Sequence, residues 1–136
     1  TTSGNIQVVS PYLNSTIFTL TGHTATAEWL RMLPDGRLAS ASADTTVRIW
    51  NMTTGTQEMI LYGHTSKAYS IDVLVNGYLV SGGFDHALRV WNTASGQLVC
   101  NITNAHSGNI LVVKTLNNCY FATGADDYLV RVRKIY

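Results

Sequence analysis

Leu79-Val80-Ser81-Gly82-Gly83-Phe84-Asp85-His86-Ala87-Leu88-Arg89-Val90-Trp91 reads as two short strands joined by a turn at Asp85. Leu79 to Gly82 and Leu88 to Trp91 are strand-length apolar runs, and the Gly and Asp between them are turn formers. The same order stands at Leu38-Ala39-Ser40-Ala41 and Val47-Arg48-Ile49-Trp50 around Asp44, and again at Thr123, Asp127 and Arg133. A His precedes each set: His23, His64 and His106 recur at intervals of 41 and 42 residues. One folding unit has been copied, and a repeat of this length built of short strands decides the architecture.

Working outward, each unit divides into four strands. In the first, Ala27, Leu30 and Met32 are apolar ahead of a turn at Pro34-Asp35-Gly36; in the second, Asn76-Gly77 occupies the same place. Asp-Gly and Asn-Gly supply the positive φ that tight hairpins demand. Thr54-Gly55 and Ser95-Gly96 then turn the chain into a fourth strand. A four-stranded sheet this small cannot bury both faces alone, so neighbouring units must cover one another, and stacking around an axis is the β-propeller solution.

Several motif positions then match a known family in order. Gly22-His23 and Gly63-His64, Leu38 to Asp44, and Thr46-Val47-Arg48-Ile49-Trp50 resemble the WD-repeat β-propellers over nearly the whole chain. Departures are Asn51 and Asn92 after the two Trp, Ala105 in place of Gly, and Arg133 in place of the third Trp. The expected fold is all-β: a propeller segment of about three four-stranded antiparallel blades, with repeats at 22–61, 63–103 and 105–136. Residues 1–20 fit the last strands of a preceding blade, Asn5 to Val9 as its third strand and Ser15 to Leu20 as its outer one. The whole of 1–136 reads as one domain.

Ser, His and Asp together invite a hydrolase reading. A catalytic triad is needed once, beside an oxyanion hole, whereas this set recurs in every unit with Trp as a fourth member. The resemblance implies a buried hydrogen-bonded chain instead: His23, Ser40, Asp44 and Trp50; His64, Ser81, Asp85 and Trp91; His106, Thr123 and Asp127. Arg133, in the third Trp place, is expected to turn outward or to pair with Asp127 or Asp126. His86 is expected to be a solvated turn residue, and Trp29 to pack between blades. No phosphate loop, zinc-protease motif or zinc-type Cys and His spacing is present, so neither catalysis, a metal nor any other cofactor is expected.

Charged residues are 12% of the chain against about 25% in an average protein. The formal net charge is +1 with no run of Lys and Arg, so no nucleic-acid partner is expected. No apolar stretch reaches the roughly 18 residues that suggest a spanning helix, so no membrane insertion is expected. Proteins remain as partners. In the resembled family they dock where first-strand bulge residues and the residue before the turn Asp emerge. Carried over by position, these are Thr26, Glu28 and Ala43; Lys67, Tyr69 and Phe84; Asn109, Leu111 and Asp126. Glu28, Lys67, Tyr69, Phe84, Leu111 and Asp126 form the candidate face, with Tyr69, Phe84 and Leu111 as its apolar centre.

Two functions from different classes follow. The first is a non-enzymatic protein-interaction scaffold. The second is a self-assembling structural subunit, because three units and a fraction fall short of the roughly four to eight blades that close a ring; either a longer chain supplies the rest, or copies join head to tail in a ring or filament. Asn14, Asn51 and Asn101 stand in glycosylation sequons. These and the low charge suit an extracellular protein, while the family resemblance favours an intracellular one. Cys100 and Cys119 form no disulfide or metal pattern and are expected as free, partly buried thiols.

Overall fold

The structure is a computed structural model that describes residues 4–74, 76–117 and 119–134. The first three residues of the expected opening blade and residues 135–136 of the expected last repeat lie outside the described residues. Among the described residues there are strands and no helix.

The chain runs as antiparallel meanders. β1 (Ile6–Ser10) pairs with β2 (Ser15–Leu20); β3 (Ala27–Met32), β4 (Leu38–Ser42), β5 (Val47–Asn51) and β6 (Thr56–Leu61) form one sheet in chain order. β7 (Ala68–Val73), β8 (Tyr78–Gly83), β9 (Leu88–Asn92) and β10 (Leu98–Ile102) form the next, and β11 (Ile110–Thr115), β12 (Tyr120–Ala125) and β13 (Val130–Lys134) the last. The architecture is an open propeller segment. At the first turns, Gly36 and Gly77 hold φ of +88° and +80°, conformations that a side chain would disfavour.

Alternation along each strand sends successive side chains to opposite neighbours. In β8, Leu79 packs with Ile49, Ala39 and Ala41 of the preceding sheet, while Val80 packs with Ile110, Val113 and Phe121 of the following one. Leu38 and Trp50 face Ile6 and Leu20 of the first pair in the same way. The second strands β4 and β8 are therefore buried on both faces, and β4 (Leu-Ala-Ser-Ala-Ser) is buried throughout. Small residues there let the sheets close together. A Cβ placed on Gly82 would come within 2.6 Å of the Ile110 Cγ2 and 3.0 Å of the Val113 Cγ2.

The inner strands are also joined by polar contacts. Ser70 Oγ accepts from the Val113 N–H (3.0 Å) and Asp72 Oδ2 from the Thr115 N–H (2.8 Å), while the Thr115 hydroxyl donates to the Val73 carbonyl (2.9 Å). Arg31 Nε reaches Asp72 Oδ1 at 2.7 Å from the other side. Burial alone would raise the Asp72 carboxyl, but the Thr115 and Val73 N–H groups, Arg31 and Lys114 hold it below the ordinary range. One carboxylate thus ties three inner strands.

Two expectations need correction. Cys100 and Cys119 are free thiols but exposed, since β10 is exposed over Leu98–Asn101 and Cys119 stands in the turn before β12. Trp29 is 38% exposed rather than enclosed between sheets.

Gly82→Ala is expected to lower stability by about 1–3 kcal/mol, because the added methyl must push β8 away from β11. Urea denaturation of the two proteins measures it, and an unchanged midpoint would contradict this account of blade packing.

Candidate functional site

The residues of each polar set come from four elements: the loop before the first strand, the second strand, the turn between second and third strands, and the third strand. In the first sheet His23 Nε2 lies 2.7 Å from Ser40 Oγ and its Nδ1 lies 2.7 Å from Asp44 Oδ2, and the Trp50 indole N–H donates to Ser40 Oγ at 2.8 Å. The Trp50 ring also meets the His23 ring edge-on at 5.8 Å between centroids. The second sheet repeats the arrangement: His64 Nε2 to Ser81 Oγ is 2.8 Å, His64 Nδ1 to both Asp85 oxygens 3.0 Å, and the Trp91 indole N–H donates to Ser81 Oγ at 2.8 Å. In the third, His106 Nε2 lies 2.8 Å from Thr123 Oγ1, and Nδ1 lies 3.0 and 3.1 Å from the Asp127 oxygens.

Each Asp closes its turn as well. Thr24, Thr65 and Ser107 donate backbone N–H groups to Asp44, Asp85 and Asp127 at 3.0–3.1 Å. Burial would push the Asp44 carboxyl up, yet the Thr46 hydroxyl, His23 and the Thr46 and Thr24 N–H groups outweigh it and hold it far below the usual carboxylate range. For Asp85 the donors that overcome burial are His64, the Thr65 N–H and Arg89; for Asp127 they are the Leu129 and Ser107 N–H groups, His106 and Arg131. Burial lowers the His23 imidazole below its ordinary value, and the pull of Asp44 only partly opposes this.

Arg133 departs from expectation. It neither turns outward nor pairs with Asp126 or Asp127; it occupies the Trp place, its Nη1 donating to Thr123 Oγ1 at 2.8 Å and its Nη2 to the Ala105 carbonyl at 2.7 Å. The reason lies at residue 105. In the other units that position is Gly22 or Gly63, where an added Cβ would collide with the Arg48 guanidinium or lie 3.1 Å from Trp91 Cη2. Without an indole there, Ala105 is accommodated and its carbonyl becomes the second acceptor for Arg133.

Sequence reasoning also missed a column of arginines. Arg89 donates to Asp85 at 2.7 Å and Arg131 to Asp127 at 3.1 Å, whereas the Arg48 Nη1 donates to Gln57 Oε1. Their signal was an Arg four residues after every turn Asp.

The candidate partner face is positioned by irregularity in the first strands. Pairing shifts register between Ala27 and Trp29, between Ala68 and Ser70, and between Ile110 and Val112, so Glu28, Tyr69 and Leu111 are the bulge residues. Ala43 N–H donates to the Thr26 carbonyl (2.9 Å), Phe84 N–H to Lys67 (2.9 Å) and Asp126 N–H to Asn109 (3.1 Å), which sets each pre-turn residue beside its bulge. Tyr69 and Phe84 stack at 5.2 Å, Lys67 lies 5.3 Å above the Phe84 ring, and Lys67 Nζ pairs with Glu28 at 2.9 Å. Leu111 is exposed, and Asp126 is engaged by Asn109 through both its N–H and its side-chain amide. His86, in the turn after Asp85, is half-buried with φ +60°.

Of the sequon residues, Asn14 lies exposed in the β1–β2 turn and Asn101 exposed on β10. Asn51 instead accepts from the Thr53 and Thr54 N–H groups and donates to Glu58. Among the described residues no cluster of His, Cys, Asp and Glu could hold a metal, and no helix is long and apolar enough to cross a membrane.

Three measurements test the polar sets. Asp85→Ala strands His64, Arg89 and the Thr65 N–H, so it is expected to cost about 2–4 kcal/mol in urea unfolding, and a wild-type curve would contradict that. Arg133→Trp should be poorly tolerated alone and recovered when combined with Ala105→Gly, with a coupling of about 1 kcal/mol or more in the double-mutant cycle; strict additivity would contradict the pairing. Acid should act in two stages. Because His23 is held neutral, the unfolded chain binds a proton first as pH falls through about 6.5, and stability declines from there. The three carboxylates contribute fully above about pH 3.9 and lose that contribution below it. Urea midpoints unchanged from pH 8 down to about 3 would refute both stages.

The sequence pattern of the family described as WD domain, G-beta repeat matches residues 14–51 and 55–92. Human apoptotic protease-activating factor 1 is 45% identical over 53 residues, which are 39% of this chain and 4% of that protein. The WD40 β-propeller domain of Doa1 superposes with a TM-score of 0.89 at 30% identity, over 99% of this chain and 46% of that one. The structure of U3-55K gives a TM-score of 0.89 at 21% identity, over 98% of this chain and 43% of that one, a likeness of fold alone. The chain thus spans less than half the length of each. Domains of this kind generally serve as protein-interaction scaffolds without chemistry of their own. The two matched repeats, the recurring His, Ser and Asp sets and the meandering four-stranded sheets agree, and the chain belongs to the WD-repeat β-propeller family.

Proposed function

We propose that this chain is a non-enzymatic scaffold that binds another protein on the face carrying its three first-strand bulges. The observation that carries the reading is the node at Lys67. It joins two sheets through Glu28 and rests on Phe84, which stacks against Tyr69. A half-exposed aromatic pair held rigid by a neighbouring ion pair, with polar Asn109 and Asp126 beside exposed Leu111, has the composition of an interface: an apolar centre and a polar rim. Aromatic side chains fixed in this way lose little freedom on binding and are over-represented among residues that dominate affinity.

The polar sets have a different part in this reading. They fix the turns that present Ala43, Phe84 and Asp126, and the recurrence of the same set in three sheets argues for support rather than catalysis.

Immobilised wild type and the Tyr69→Ala/Phe84→Ala double variant, compared for proteins captured from lysate, test the proposal. At least one specifically captured protein should be lost, about tenfold or more, from a variant that melts like the wild type. Full retention of every captured protein by a folded variant would place binding elsewhere.

A further inference from the structure

The third sheet has one strand fewer than the two before it. β6 covers the outer edge of β5 and β10 that of β9, but among the described residues no strand pairs with the outer edge of β13. An open edge presents backbone N–H and C=O groups that an extended segment can take up by strand addition. The other sheets show where such a segment would lie. A Cβ on Gly55, in the turn entering β6, would stand 3.1 Å from Phe18 of β2, and one on Gly96, in the turn entering β10, 3.6 Å from Met59 and Leu61 of β6. Each fourth strand thus starts against the fourth strand of the sheet before it. Between β10 and β13 there is instead a cleft of about 470 Å³, lined by Val90, Cys100, Ile102 and Phe121 and flanked by Arg133.

The charge of this cleft has no counterpart elsewhere in the repeat. Each sheet sets one Arg beside its turn Asp: Arg48 with Asp44, Arg89 with Asp85, Arg131 with Asp127. The third sheet adds Arg133, whose bonds to the Thr123 hydroxyl and the Ala105 carbonyl both go to uncharged oxygens; among the described residues no carboxylate pairs with it. A guanidinium has five N–H donors, so capacity for a further acceptor remains. Burial and the neighbouring Arg131 charge both disfavour its ionised form. Arg131 is open as well: its side chain is 38% exposed, against 11% for Arg48 and 6% for Arg89 in the sheets that have a fourth strand.

Register says which residue of an added strand would meet these cations. Opposite Trp50 on the fourth strand stands Gln57, whose Oε1 accepts from Arg48 Nη1. The equivalent residue on β13 is the one opposite Arg133, on the face that Arg131 shares because it lies two residues away. In the chain's own outer strands that place is held by Thr16, Gln57 and Leu98. None of these is a carboxylate, so the outer strand of a second copy does not match the charge. We propose that the cleft beside β13 takes an extended segment of another protein as the fourth strand of the third sheet, with an Asp or Glu opposite Arg133 whose carboxylate accepts from Arg133 and offsets the Arg131 charge. Main-chain bonds to β13 hold such a segment, and the guanidinium selects its sequence. The contact uses other residues than the face with the three bulges and stands independently of it.

Labelled peptides copying residues 55–62, with Glu, Gln or Lys in the place of Gln57, probe the cleft by fluorescence anisotropy, and amide hydrogen exchange locates them. The Glu peptide should bind about tenfold or more tighter than the Gln peptide, and the Lys peptide weakest, with exchange slowed along β13. Arg133→Trp combined with Ala105→Gly rebuilds the corner found in the other sheets, and it should accept the strand but lose the preference for Glu. Arg133→Gln, which keeps an N–H donor near Thr123, should lose the preference as well. Equal affinity for the Glu and Gln peptides, a preference that survives both substitutions, or no binding by any peptide overturns the proposal. So does protection of β13 that grows with the concentration of the free protein, which would put a second copy in the cleft.

Discussion

A sheet whose two faces are both apolar exists only between two others, and that constraint organises the molecule. Leu79 and Val80 are adjacent in sequence yet belong to different cores, one with the sheet before and one with the sheet after. Burial by neighbours is nondirectional and grows with area, so by itself it would leave the sheets free to slide. The small second strands restrict this. Where Gly82 lies against Ile110 and Val113, the sheets approach too closely to permit a side chain, and the approach fixes their spacing.

Direction comes from polar groups enclosed by that packing. Ser40, Ser81 and Thr123 are fully buried and would be costly unpaired. The His that satisfies each of them comes from the loop before the first strand, and the Trp, or Arg133, from the third strand. Satisfying one hydroxyl therefore aligns three separated segments of chain. The Asp at the far end gathers backbone N–H groups from the loop and the turn, which fixes the loop that carries the bulge beside the turn that carries its partner. Stability and presentation of the candidate binding face are in this way one set of contacts.

The third sheet shows how far such a set can drift. Arg133 supplies the N–H that an indole supplies elsewhere, and it brings a second donor that the Ala105 carbonyl accepts. Burial and the neighbouring Arg131 lower its guanidinium from the usual value, the cost of enclosing a second cation near the first. The geometry of the hydroxyl survives a complete change of chemistry at one corner because the requirement is for a donor at that point, not for a particular ring.

The repeat, the four-strand units, the membership of His, Ser and Asp in common sets and the positions of the turns were legible in the sequence. Each depends on local spacing, or on an identity that recurs at a fixed interval. The bulge positions could be carried over for the same reason. What tertiary structure alone decided involves long side chains with several places to go. Arg133 was read as outward or acid-paired, but Ala105, 28 residues away, and Thr123 offered it neutral acceptors. Cys100 was read as partly buried, although the exposed run of β10 leaves it open. Arg48 and Arg89 hold equivalent places in the repeat, yet the Arg48 Nη1 donates to Gln57 and the Arg89 Nη1 to Asp85. Apolar periodicity determines which face of a strand is buried; which acceptor a flexible cation finds is fixed only when separate strands have been brought together.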